Sequence, residues 1–277
     1  VKLFLSIIAV GLFGVLVNNK VGGEVLDDES REKDKVSFVE IAGPRSVDIS
    51  TYFYDTKDRL DKVVVDVYFT KDNVAVIAPK PNIDNRIFTK ADGDKISNRE
   101  SKALLLYDIK YEELGKYDYQ ELKSAKIRSL QNFLKAMANE GNDLEIVLNI
   151  PSSRLGDRIL HPQPKNSVAM ILTQTEPFIN QLNIMYLSSD KRVVKELNKK
   201  KVPKNLIGYR EDVTNIISDP LEVSGMYGSH YLNTYLVEDS KVLQNMTEGI
   251  NTLAWDINDR NDIRRVKKCG CSHYSKN

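Results

Sequence analysis

Few side chains in this sequence are suited to acid–base or nucleophilic chemistry. The only histidines are His161, His230 and His273, all beyond the midpoint of the 277 residues. Imidazole is the side chain whose ordinary pKa lets it act as acid and base near neutrality. An acid–base mechanism must therefore draw on these three or on carboxyls with displaced pKa values. His161 lies in Leu160-His161-Pro162-Gln163-Pro164, which reads as a surface turn. His230 lies in MYGSHYLNTYL with Tyr227, Tyr231 and Tyr235. That segment reads either as an aromatic surface for sugar, lipid or protein, or as a half-buried helix, and the helix is the expectation.

Cys269 and Cys271 are one residue apart. A bridge between such close neighbours is strained, and a zinc site would need more ligands than His273 alone supplies, so two free thiols are expected. The sequence contains no glycine-rich phosphate loop, no nucleophile elbow and no His-Glu-x-x-His zinc helix. The sequon Asn245-Met246-Thr247 falls in an expected helix.

These residues must be positioned by alternating short apolar runs and helical patterns. Strands are expected at 37–41, 63–68, 74–78, 104–107, 145–150, 183–187, 206–208 and 252–257. Several, such as VVVDVYF and IVLNI, are nearly continuous apolar runs, as in strands buried on both faces of a parallel sheet. Ser129 is expected to cap a helix through Leu130, Phe133, Leu134 and Met137, ended by Gly141. Asp239 or Ser240 opens another, with Val242, Leu243 and Met246 on one face and Gly249 as its stop. Asn261 opens a last one with Ile263 and Val266 inward. The alternation predicts an α/β architecture, either a closed (β/α)8 barrel or an open doubly wound sheet.

The 40 basic and 39 acidic side chains nearly cancel, which argues against a nucleic-acid partner. Lys2 precedes an apolar run from Leu3 to Val17 with a polar exit at Asn18-Asn19-Lys20. As a helix these fifteen residues would reach about 22 Å, short of the roughly 30 Å hydrocarbon layer. Residues 1–20 therefore read as a secretory signal peptide, and 21–36 as a polar linker. A secreted, extracellular chain is expected, with membrane contact only if the N-terminal segment stays uncleaved.

Four stretches then resemble the glycerophosphodiester phosphodiesterases, barrels of the phospholipase C-like superfamily. VVVDVYFTKDNVAVIA (Val63–Ala78) is similar to that family's second strand, its Thr-Lys-Asp-Gly turn and the strand after it. IDNRIFTKADGDKISN (Ile83–Asn98) is similar to its Leu-Asp-Arg-Thr-Thr loop, and KIRSLQNFLKAM (Lys126–Met137) to its Ile-Pro-Thr-Leu helix start. LAWDINDRNDIRRVKKCG (Leu253–Gly270) follows its Val-Trp-Thr-Val-Asn strand and the next helix. The resemblance covers residues 37–277 and implies a single (β/α)8 TIM barrel. It also implies hydrolysis of a phosphodiester by two histidines and a carboxylate-held divalent cation, Mg or Ca.

The residues that would carry that chemistry are replaced. Gly43 or Pro44 stands for the first histidine, and Arg45 keeps the arginine after it. Val64 stands for the glutamate of the second-strand pair, leaving Asp66 alone. Pro79-Lys80 stands for the second His-Asp, and Leu148, or at best Asn149, for the later glutamate. Losing one general acid–base group costs roughly 10²- to 10⁴-fold, so the resemblance implies a catalytically inactive barrel, a pseudoenzyme without cofactor. Its expected role is binding or assembly, with an unknown protein or with a phosphate or lipid headgroup. The ligand-binding candidates are Arg45, Asp66, Lys80 and Trp255, with Lys80 able to pair with Asp66. The alternative is a divergent metal-dependent hydrolase of glycerophosphodiesters or lysophospholipids, its acid drawn from His230 or His273.

Overall fold

The structure is a computed structural model that describes residues 38–40, 62–121, 125–140, 144–155 and 157–211, and parts of 223–276. All lie in the compact unit Lys35–Asn277. Gly43, Pro44, Arg45, Cys269, Cys271, Tyr235, the expected signal and linker, and the proposed helix residues Asp239, Ser240, Val242, Leu243, Met246 and Ile263 lie outside the described residues.

Eight parallel strands form the frame: β1 (Phe38–Glu40), β2 (Lys62–Phe69), β3 (Glu145–Asn149), β4 (Asn183–Ser188), β5 (Ile207–Glu211), β6 (Ser229–Asn233), β7 (Asn251–Ile257) and β8 (His273–Lys276). Each pairs in parallel with the next, and β8 comes back beside β1. This is a (β/α)8 barrel rather than an open sheet. The helices α1 (Asn98–Ala103) and α2 (Leu130–Glu140) fall between β2 and β3, α3 (Pro164–Thr175) between β3 and β4, and α4 (Lys191–Lys199) between β4 and β5.

The strands read as unbroken apolar runs because both of their faces are covered. Val64, Val147, Met185, Leu187, Tyr231 and Leu253 fill the barrel interior, with Trp255 packed against them. Their neighbours in sequence, among them Val63, Val65, Ile146, Leu148, Ile184 and Tyr186, face outward onto Phe133 and Met137 of α2 and Val193 and Leu197 of α4. Alternation along a strand sends successive side chains to opposite faces. At the N-terminal end of the barrel, Lys62 Nζ closes on Glu145 Oε1 at 2.6 Å. Local signals set the helix starts: Ser129 Oγ accepts from Asn132 N, and Asp190 accepts from Arg192 N at the start of α4.

Three expectations need correction. The run at 74–78 does form a strand, Ala75–Ile77, but it pairs antiparallel with β2 and with Arg128–Ser129, outside the barrel. The run at 104–107 is not a strand; Leu106–Asp108 is a 3-10 turn, whose leucine is apolar because it fills a separate small core with Ile83, Phe88, Leu114, Tyr119 and Ile127. The segment around His230 is strand β6, not a helix. Its apolar spacing looks helical because residues on both faces of a barrel strand are buried, which erases the period of two.

Candidate functional site

In a (β/α)8 barrel the functional face is the one at the C-terminal ends of the strands. Here, among the described residues, five strands carry inward-facing polar or aromatic groups to that end. Asp66 follows Val64 on β2, and Asn149 follows Val147 on β3, one step along the interior face in each case. The two residues are register partners, and Asn149 Nδ2 donates to Asp66 Oδ1 at 2.6 Å. On the other side, Arg210 of β5 lies over the ring of Trp255 of β7, with its guanidinium carbon 3.8 Å from the ring centroid. This is within the range of a cation–π contact. Trp255 Nε1 donates to the Glu211 carbonyl at 3.3 Å. Asn233, buried at the end of β6, follows the interior Tyr231 by two residues. Among the described residues, the mouth thus holds one carboxylate tied to an amide, and one guanidinium stacked on an indole.

The other candidates fall as follows. Val64 is buried in the interior cluster, an apolar group where the family resemblance calls for a carboxylate. Leu148 faces the helices and cannot stand for the later glutamate; the interior position is Asn149. Lys80 does not meet Asp66: its Nζ bonds Asp84 Oδ2. Asp84 also takes a paired contact from Arg86 Nε and Nη2 at 3.0 and 2.8 Å. Arg86, and secondarily Lys80, holds the buried Asp84 carboxyl far below the usual carboxylate range. Lys80, beside the half-buried Pro79, therefore serves to hold the 79–129 excursion together.

The histidines that the structure describes do not reach the mouth. His161 is buried rather than on a surface turn, with Nε2 2.8 Å from the Pro151 carbonyl and Nδ1 3.1 Å from that of Pro162. Burial depresses its pKa, so the ring is neutral and its single N–H ties down the loop after β3. His230 alternates with the interior Tyr231 and so faces outward, between Tyr209 and Tyr227. There its Nε2 lies 3.1 Å from Glu211 Oε2. This placement removes it as a general acid for the mouth. His273 is the first residue of β8, in register with Leu253, at the strand end away from the mouth. Asn245 of the sequon is buried and donates to Thr252 Oγ1 at 2.9 Å, which leaves it no room for a glycan in the folded chain.

The donor set that the described residues place at the mouth does not suit a divalent cation. Mg²⁺ and Ca²⁺ are held by several oxygens, usually with more than one carboxylate. Among the described residues the mouth offers Asp66 alone, and its neighbour presents an amide N–H to it. No cluster of three or more His, Cys, Asp or Glu is found among the described residues.

Arg210 and Asn233 were not anticipated from the sequence. The signal was present for Arg210: carrying the alternation of the 206–208 strand two residues past Gly208 places Arg210 inside the barrel.

No protein-family model matches the sequence, and no curated protein matches it. Solved structures do. The candidate glycerophosphoryl diester phosphodiesterase of Silicibacter pomeroyi superposes with a TM-score of 0.72 at 16% identity, over 88% of this chain and 90% of that one. A glycerophosphodiester phosphodiesterase from Parabacteroides distasonis gives 0.65 at 15%, over 88% and 93%. A phosphodiesterase from Oleispira antarctica, solved with the product sn-glycerol-3-phosphate, gives 0.64 at 16%, over 87% and 92%. The likeness spans nearly the full length of each, and the chain accordingly has the fold of the glycerophosphodiester phosphodiesterases.

Proposed function

We propose that this chain is a secreted phosphodiesterase-like barrel that does not hydrolyse phosphodiesters and instead uses its mouth to bind. The observation that carries the reading is the Asp66–Asn149 hydrogen bond of 2.6 Å. Hydrolysis needs a metal-holding carboxylate set and an acid–base pair at one place. Here the one carboxylate that the described residues bring to the mouth is engaged by an amide, while His161 and His230 are built into the wall. What the mouth retains is suited to recognition. Arg210 is a planar cation held over Trp255, and a guanidinium placed in this way can take a phosphate or sulfate oxygen pair. The ligand class is accordingly a phosphate-bearing headgroup, and a protein presenting an acidic or phosphorylated side chain would use the same contact. Secretion rests on the apolar run Leu3–Val17, and a chain that stays inside a secreting host with this run still at its N-terminus would overturn it.

Calorimetric titration with sn-glycerol-3-phosphate tests the binding role. We expect saturable binding that needs no added metal, and at least tenfold weakening in Arg210→Ala. Equal binding by wild type and Arg210→Ala, or binding only with Mg²⁺ or Ca²⁺ present, would contradict the reading.

A further inference from the structure

We infer that a groove on the outside of the barrel, between α3 and the turn after α4, binds a single-chain anionic amphiphile. The groove lies far along β4 and β5 from the mouth, towards their N-terminal ends, and has a volume of about 650 Å³. That is within the roughly 300–1,000 Å³ of small-molecule sites. Its walls include Leu172, Ile179, Tyr186 and Leu206. The hydroxyls of the lining are already used, since Tyr186 and Thr175 share a hydrogen bond of 2.7 Å and Thr173 Oγ1 donates to the Ala169 carbonyl at 3.0 Å. These walls can satisfy an alkyl chain and offer little to a polar one.

Ile179 is 57% exposed, the most of the large hydrophobic side chains among the described residues. Ile179 carries the apolar wall out to the edge of the groove, where an alkyl chain would cover it. At the rim stand Lys200 and Lys201, both exposed and, among the described residues, without an ion-pair partner. Their neighbour Lys199, by contrast, is paired with Glu196 at 2.6 Å. The rim is pre-shaped: Lys201 has φ +61°, and its N–H and that of Val202 cap the carbonyls of Asn198 and Leu197. The lining holds two lysines against one acid, Glu176, so the charge complements an anionic head over a tail lying along the apolar wall. A carboxylate or phosphate monoester on one alkyl chain has this chemistry.

The test is calorimetry with dodecyl phosphate below its micellar concentration, with dodecyltrimethylammonium and inorganic phosphate as comparisons. We expect one dodecyl phosphate per chain, with at least tenfold weaker binding for each comparison ligand. Ala169→Trp, which fills the groove, and the double change Lys200→Glu/Lys201→Glu on the exposed rim should each weaken binding at least tenfold. Arg210→Ala should leave it unchanged, which separates this site from the mouth. Equal binding of the cationic amphiphile, binding unaffected by both groove variants, or binding only to phosphatidylserine vesicles would overturn the inference.

Discussion

Gly228→Ala is expected to destabilise the chain by about 3 kcal/mol. A Cβ at this position would stand 2.7 Å from the Lys204 carbonyl oxygen and 2.8 Å from Asn205 Cα. Both are backbone atoms of the segment leading into β5, so no rotamer change relieves the clash. Gly228 N–H also donates to the Ile207 carbonyl, and its own carbonyl accepts from Asn251. Moving it away would break the linkage among β5, β6 and β7 at their N-terminal ends. Gly115, with nothing within 4 Å of the added carbon, supplies the comparison: Gly115→Ala should change stability by less than about 0.5 kcal/mol. Urea unfolding midpoints of the two variants check this, and equal midpoints would contradict it.

Glu211→Ala is expected to cost about 3 kcal/mol, because it leaves a buried polar cluster without its anion. Glu211 is at the end of β5, next to Arg210, on the outward face. Its carboxylate accepts from Lys241 Nζ at 2.7 Å and faces His230 Nε2 at 3.1 Å. His230 Nδ1 in turn lies 3.1 Å from Asn245 Nδ2. The His230 contact, and after it the Lys241 ammonium, pulls the Glu211 pKa down to about 2 against the opposing effect of burial. Because the folded pKa is below the unfolded one, the carboxylate stabilises the fold fully above about pH 4.5. That contribution is lost as pH falls towards about 2. Stability measured between pH 5 and 2 should therefore fall less steeply in Glu211→Gln than in wild type. It should not become flat, since Asp84, Asp190 and Glu100 are also lowered. Identical slopes would show that Glu211 carries no such linkage.

The barrel was legible in the sequence wherever burial is uniform. β2, β3, β4 and β7 are near-continuous apolar runs, and the structure places them within a residue or two of where those runs fall. β6 was missed because Ser229, His230 and Asn233 are polar residues buried within a strand, and composition cannot tell a buried histidine in a polar cluster from a helical one. The segment 104–107 failed for the opposite reason: its leucines serve the small core of the excursion after β2, and apolar character alone does not say which core a residue joins. The mouth was half legible. Asp66 and Trp255 lie there, and the valine at position 64 in place of the family's carboxylate could be read directly. That Asn149, not Leu148, is the interior residue depends on the pairing Asp66↔Asn149, which is a long-range fact. So does the partnership of Lys80 with Asp84 in place of Asp66.

The groove beside α3 was not legible, because Ile179 and Lys200 are separated in sequence and each is ordinary by itself. Their meaning comes from the α3–α4 packing that sets them on one edge.

The proposed loss of phosphodiesterase activity on a retained barrel is open to direct test. The most direct measurement is turnover of glycerophosphocholine and lysophospholipid by the purified chain, with Mg²⁺ or Ca²⁺ and then with chelator. No turnover above the uncatalysed rate and no metal-dependent shift in melting temperature are expected. Chelator-sensitive turnover that disappears in Asp66→Ala would contradict the proposed loss.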